Sequence, residues 1–225
     1  EANHLAAFDA LIVHNDVMAE KVRGDFAFMG QLAVLQLFDY LTDSPCAVRN
    51  GKERRIVFAG NLAKSGFCRK LGEIAEIQFN LYGPCDTAAG IAINSANVAY
   101  RGQLSPEEIV HGMDGSFGLV WDGDSLHGCE GKFGIYLRYN TSHKLSLYIV
   151  AGLPVIVWKQ SAMAHYIIEN NIGIAVDSLA ELPAVLAAVS DADYAALCEN
   201  VRRLAEELSH GAHLTRCLSQ GYFIS

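Results

Sequence analysis

Between residues 136 and 156, Asn140, Thr141, Ser142, His143 and Lys144 run directly into the apolar series Leu145, Leu147, Ile149 and Val150, which Gly152 and Pro154 close. Thr141 or Ser142 can cap a helix starting here, because a short hydroxyl side chain accepts a hydrogen bond from one of the first free backbone N–H groups. The remaining N–H groups and the helix dipole favour an anion at that end. Lys144 adds a fixed positive charge beside them. Dipole, donors and ammonium together suit a diphosphate, with Lys144 as the leading ligand. His143 reads equally well as a ligand or as a cap-region residue with no ligand.

Three other groupings could carry chemistry. Gly60-Asn61-Leu62-Ala63-Lys64-Ser65-Gly66 follows an apolar run and joins a permissive backbone to a cation. It is not a Walker loop, since Lys64 precedes the second glycine, and it reads either as a ligand loop or as an ordinary strand-to-helix turn. Asp122-Gly123-Asp124 spells the DxD triplet with which some glycosyltransferases hold a divalent cation against a donor diphosphate. The triplet arises easily by chance, and the glycines at 123, 128, 131 and 134 give it the composition of a shaping or lid-like loop. His210 and His213 lie three apart with no third ligand near them, so they read as surface residues, and no metal site is expected.

The elements that must position these residues come from hydrophobic patterning. Short apolar runs at 55–60, 77–82, 97–101, 117–121, 154–158 and 173–176 read as strands. Helical patterns at 67–75, 105–111, 142–151, 162–170 and 178–189 fall among them, and 191–209 follows. Ser105 with Glu108 has the capping-box spacing. Such alternation implies a doubly wound, Rossmann-like parallel sheet covered on both faces, with ligands beyond the carboxyl ends of its strands. Ahead of it, 8–13 reads as a strand and 16–23 as a helix capped by Asp16 and closed by Gly24. Residues 42–53 have linker composition and predict a boundary near residue 50. In the tail, Leu214, Leu218, Tyr222 and Phe223 recur at helical spacing and need a packing partner.

Composition sets the outer limits. The 225 residues are 51% hydrophobic, enough for a sizeable core, and only 19% charged. A net charge of -8 offers no basic stripe for a phosphate backbone, so nucleic acid is not an expected partner. The longest apolar stretch, 145–157, is too short to cross a bilayer. Six scattered cysteines (46, 68, 85, 129, 198 and 217) form no CxxC pair and read as reduced thiols of a cytoplasmic protein. The chain opens on Glu1, without a leader pattern, and reads as an excised fragment.

Val120-Trp-Asp-Gly123, Tyr139-Asn140, His143-Lys144-Leu-Ser146 and Ala151-Gly-Leu-Pro-Val-Ile156, in that order, resemble a bacterial glycosyltransferase family. It includes the glucosyltransferase of serine-rich adhesin O-glycosylation and β-1,6-galactofuranosyltransferases. His14-Asn15, Phe38-Asp-Tyr-Leu41 and Phe58-Ala-Gly-Asn61 fit the same family, so the resemblance covers nearly the whole chain. It implies a GT-B architecture, with two Rossmann-like domains facing each other over a cleft and the C-terminal one holding a UDP-sugar.

On that resemblance, residues 1–50 are the remnant of the acceptor-side domain and its linker, with roughly a hundred further residues expected ahead of Glu1. Residues 51–209 are the nucleotide-sugar domain, and 210–225 form a helix returning to the first domain. The resemblance places Lys144, with Asn140, Ser142 and His143, at the donor diphosphate, and Asn61 and Lys64 along the same cleft. Tyr100 and Arg101 fall where the nucleobase is contacted, although Tyr100 reads equally as a core residue. The implied activity is hexose transfer, of glucose or galactofuranose, from a UDP-sugar to a glycan or glycosylated protein, with no cofactor and no metal. Peripheral association with membrane-bound glycan machinery and self-association are further expectations. A catalytically inert UDP-binding domain and a DxD metal-dependent transferase remain the alternatives.

Overall fold

The computed structural model describes residues 2–5, 7–43, 51–85 and 95–219. The chain opens with α1 (Ala2–Leu5), β1 (Ala10–Val13), α2 (Asp16–Phe26) and β2 (Gln31–Val34), and β1 and β2 pair in parallel as a two-stranded sheet. Asn15, not Asp16, caps α2: its side chain accepts from the Met18 backbone N–H. The helix runs through Gly24 to Phe26 and ends only where Ala27 turns left-handed. Glycine tolerates a helix interior at modest cost, so its presence did not force a stop.

The rest forms one six-stranded parallel sheet. Its strands are β3 (Arg55–Ala59), β4 (Gln78–Tyr82), β5 (Val98–Tyr100), β6 (Phe117–Val120), β7 (Val155–Trp158) and β8 (Gly173–Val176). They lie in the order β5-β4-β3-β6-β7-β8. The chain therefore builds outward from β3 to β5, returns to the other side of β3, and builds outward again. That is the doubly wound Rossmann-like arrangement, with its reversal between β3 and β6. All four residues of β6 and of β7 are buried, as a strand covered on both faces requires.

Helices cover the sheet: α3 (Pro106–Gly112), α4 (Gly131–Tyr136), α5 (His143–Val150), α6 (Ala164–Glu169), α7 (Leu182–Ala188) and α8 (Asp191–Ser209). Ser105 and Glu108 close the predicted capping box on α3. Between α5 and solvent lies α8, whose Tyr194, Leu197, Val201, Ala205 and Leu208 recur at helical spacing and are buried. Each fully buried apolar side chain contributes on the order of 2 kcal/mol.

Two predicted helices differ in kind. Residues Gly66–Glu73 wind as a 3-10 helix, and the buried Asn97 amide donates to the carbonyls of Ile74 and Ile77 beyond its end. A distant side chain thus satisfies carbonyls at the C-terminal end of the segment, where a helix leaves its last carbonyls without an internal partner. The single helix expected over 178–189 is split into a 3-10 turn, Leu179–Glu181, and α7, with Pro183 in its first turn. Proline lacks the N–H that continuing the preceding turn would use.

The last helix, α9 (Ala212–Ser219), packs on the opening segment. Asp39 accepts from the backbone N–H groups of His213 and Leu214, His213 Nδ1 contacts the Leu35 carbonyl at 3.2 Å, and Cys217 donates to the Val34 carbonyl. The buried face consists of His213 and Cys217, while Leu214 is exposed, so the apolar stripe read from the sequence is displaced and His213 is not a surface residue. Tyr222 and Phe223 lie outside the described residues, as do Cys46 and most of the expected linker.

Candidate functional site

The reversal between β3 and β6 opens the sheet. β3 pairs with β4 along five positions, but with β6 only at Ile56–Phe117 and Val57–Gly118. Beyond them the strands part, and the hydroxyl of Tyr148 on α5 fills the gap, accepting from the Ala59 N–H at 2.8 Å and donating to the Leu119 carbonyl at 3.1 Å. Gly118 makes room for it, since a Cβ there would lie 2.2 Å from the Tyr148 ring. Burial pushes the Tyr148 phenol well above its usual range, so it stays neutral and serves as donor and acceptor at once. A tyrosine in an apolar helix opposite a strand glycine was the sequence signal for this brace, and the sequence reading missed it.

Above the brace lies a cavity of about 170 Å³. Its walls come from the loop after β3 (Asn61, Lys64, Ser65), the loop after β6 (Asp122), α4 (Phe133, Tyr136) and the approach to α5 (Asn140, Lys144). A larger hollow, bounded by Asp39, Asp43 and Glu107, is acidic and would repel a diphosphate.

Lys144 points into the cavity from the second residue of α5. Ser142 caps the helix by accepting from the Lys144 N–H, and Thr141 is buried behind it. The ammonium lies 3.1 and 3.2 Å from the two carboxylate oxygens of Asp122 and 5.2 Å from the centre of the Phe58 ring. With side chains only 19% and 25% exposed, this pair is shielded enough for each charge to need a partner. The Lys144 stem passes over Gly60, where a Cβ would stand 3.0 Å from Cε. Gly60 therefore admits a side chain of this protein, where the sequence suggested backbone approach to a ligand.

The DxD carboxylates diverge. Asp122 turns to Lys144, whereas Asp124 lies over Gly66, one carboxylate oxygen 2.0 Å from where a Cβ would stand. Gly123 between them holds φ +102°, and its carbonyl accepts from the Phe67 N–H. Among the described residues no three His, Cys, Asp or Glu side chains group as metal ligands. Beneath the cavity, burial raises the Cys68 thiol well above its usual range and the Cys129 thiol to about 12, which leaves both protonated and poor nucleophiles.

The remaining predicted residues separate into two groups. Asn61 caps the turn after β3 by accepting from the Lys64 N–H, and the exposed Lys64 ammonium stands 6.0 Å from the Phe133 ring centre. Asn140 lines the cavity with a buried Oδ1 that has no hydrogen-bond partner, a state that costs about 1–3 kcal/mol. His143 does not line the cavity: its ring stacks on Phe38 at 4.0 Å, with His14 edge-on to the other ring. Nor do Tyr100 and Arg101, two strands away on β5 and its exit. The Tyr100 hydroxyl donates to the Gly83 carbonyl, and Arg101 Nε donates to Asn80 Oδ1. Tyr100 is partly exposed and not a core residue. Phe133, Tyr136 and Ser65 were not singled out in sequence, because they join the cavity only through the fold.

Residues 56–221 match the family described as Glucosyltransferase 3-like, C-terminal domain. The chain is 33% identical over 224 residues to the β-1,6-galactofuranosyltransferase WbbI of Escherichia coli K12, covering 96% of this chain and 64% of that protein. It is 27% identical over 204 residues to Glucosyltransferase 3 of Streptococcus gordonii, covering 90% and 58%. The chain thus spans less than two thirds of either relative. Its fold is shared with TarM of S. aureus, solved with UDP, at a TM-score of 0.66 and 13% identity over 100% of this chain and 45% of that one. The Anabaena protein HepE, solved with UDP and glucose, gives 0.61 at 13% identity over 97% and 65%.

Proposed function

The chain belongs to the glucosyltransferase 3-like family through its C-terminal domain, and from that membership we propose that it is the donor-binding part of a hexosyltransferase. The donor is a UDP-sugar carrying glucose or galactofuranose, and the acceptor is a glycan or glycosylated protein. WbbI and Glucosyltransferase 3 are named for those two transfers. In this reading residues 1–50 end an acceptor-side domain, 51–209 hold the donor, and 210–225 return to the first domain. The reaction runs in the cytoplasm, at glycan-assembly machinery on the membrane, without a resident cofactor or metal. Among the described residues no helix is long and apolar enough to cross a membrane.

One observation carries the reading: a capped helix N-terminus and a shielded lysine meet at the point where the sheet reverses. A diphosphate there would lie against the first N–H groups of α5, and Lys144 would exchange part of its contact with Asp122 for phosphate oxygens. As the glycosidic bond breaks, charge grows on the departing UDP, so donors already in place stabilise that charge with no reorganisation. Asp122 keeps the ammonium in the cavity while the site is empty. Lys144→Ala should weaken UDP binding about ten- to a hundred-fold by calorimetry, as for one charge-assisted contact. Unchanged affinity would remove the diphosphate from this cavity. Release of hexose from UDP-glucose or UDP-galactofuranose distinguishes a transferase from an inert UDP-binding domain.

A further inference from the structure

The opening unit grips the chain just ahead of α5. Asn15 donates to the Tyr139 carbonyl and to Thr141 Oγ1, both at 3.1 Å, and neither contact changes with pH. A further contact does. The Thr141 backbone N–H donates to His14 Nδ1 at 3.5 Å, and among the described residues no other group accepts it. A backbone N–H can only donate, so Nδ1 must be unprotonated and the neutral ring must carry its proton on Nε2. Protonating His14 would put an N–H on both ring nitrogens. Donor would then face donor, and the Thr141 N–H would lose its acceptor in a part-buried place. Thr141 immediately precedes Ser142, whose hydroxyl accepts from the Lys144 N–H at 3.3 Å. The residue that His14 holds therefore leads directly into the cap of α5 and the ammonium of the cavity.

The surroundings of His14 do not welcome a charge. From α5, His143 shares the Phe38 ring with it and opposes its protonation. On α2, Asp16 accepts from the Gln36 amide, and Lys21 is paired with Asp25. Beyond β2, Asp39 accepts from the backbone of α9. The carboxylates on the flanking elements are thus already engaged. We propose that His14 is a positioning residue for the donor site: as the neutral imidazole it fixes the start of α5 through the Thr141 N–H, and its protonation loosens that start and weakens donor binding. The proposal rests on the transferase reading for its ligand, while the contact itself stands without it. Burial, and secondarily His143, place the transition below the usual histidine value of about 6.5, so the site is assembled at neutral pH and loosens on acidification.

The test measures UDP-glucose and UDP-galactofuranose by calorimetry at pH 7.5 and 5.0. Both phosphates of these donors are esterified, so the ligand keeps its charge across the range. The wild-type chain should bind the preferred donor about fivefold more weakly at the lower pH. In His14→Gln an amide oxygen can take the same N–H without titrating, so the two affinities should agree within about twofold. His143→Gln should retain the loss. A pH dependence that survives in His14→Gln, or one that vanishes in His143→Gln, would overturn the proposal. The Thr141 amide in a ¹H–¹⁵N spectrum gives a second readout that needs no nucleotide. It should shift with a single midpoint below about 6.5 in the wild type and stay still in His14→Gln. An amide that does not titrate in the wild type overturns the proposal even if His14→Gln folds poorly. A titrating amide in a chain that binds neither donor would instead sink the transferase reading and leave the His14 contact standing.

Discussion

The six-stranded sheet and the two-stranded opening unit are both parallel, yet they are held by different forces. In the large sheet Ile56, Val57, Phe58, Phe117, Leu119, Val155 and Ile156 are all but sealed from solvent, and one continuous apolar core surrounds them. In the small unit, among the described residues, Val13, Val22 and Phe28 form a buried cluster, while Ala33 and Leu35 cluster with Cys217 of α9. What ties it to its neighbour is a largely polar seam, beside Leu37, which enters the large core. Asn15 donates to the Tyr139 carbonyl and to Thr141 Oγ1, Phe38 lies between His14 and His143, and Asp39 caps α9. A large apolar core gives cooperative stability; a few directional contacts give position with little energy to spare. The seam also touches Tyr139, Thr141 and His143, the residues that flank Asn140 and Lys144 in the chain.

The contrast is broken most sharply by cavity mutants. Phe117→Ala should cost about 3–5 kcal/mol in urea unfolding, because β6 lies at the centre of the large core. Phe28→Ala should instead speed hydrogen exchange in β1, α2 and β2 while the amides of the large sheet keep their protection. If both variants lowered protection everywhere alike, the two regions would be one cooperative unit and the contrast would fall. A smaller effect is expected for Asn15→Ala, which removes the cap of α2 and both bridges at once: about 2 kcal/mol, concentrated in the opening unit. A loss below about 0.5 kcal/mol would show that packing, not the seam, holds the unit.

The smallest effect is a pH dependence. Burial, and secondarily the nearby His143, hold the His14 imidazole below its usual value of about 6.5. Between the lowered folded value and about 6.5 the unfolded chain binds more protons than the folded one, so stability rises with pH through that window. The stabilisation is fully present above about pH 6.5 and is lost as pH falls toward the folded value. His14→Gln should flatten the fall in the urea midpoint between pH 7.5 and 5.5, and an unchanged slope would place the titrating group elsewhere.

Much of the architecture was legible because its signals are local. The apolar runs of β3, β6 and β7, the Ser142 cap, the Gly152 stop with φ +74° and the Ser105–Glu108 box all act within a few residues, so the sequence displays them directly. The site was only half legible for the same reason. Lys144 was found from the helix it begins, but its carboxylate partner lies 22 residues away on another strand's exit. The ring His143 stacks on comes from the opening unit. Tyr100 and Arg101 stand at a strand end as expected, yet on a strand two positions removed from the reversal.

By itself, then, the sequence determined the strands of the large sheet, most of its helix caps, the alternating fold and the family to which they belong. Only the tertiary structure decided that Asp122 faces Lys144 while Asp124 turns away, that Asn140 is left with a buried acceptor, and that Phe133 and Tyr136 stand beside it. Periodicity and capping are short-range properties written into neighbouring residues. Which side chains meet across a parting of strands depends on how far the strands diverge and what fills the gap, and here that is set by Tyr148 lodged against Gly118.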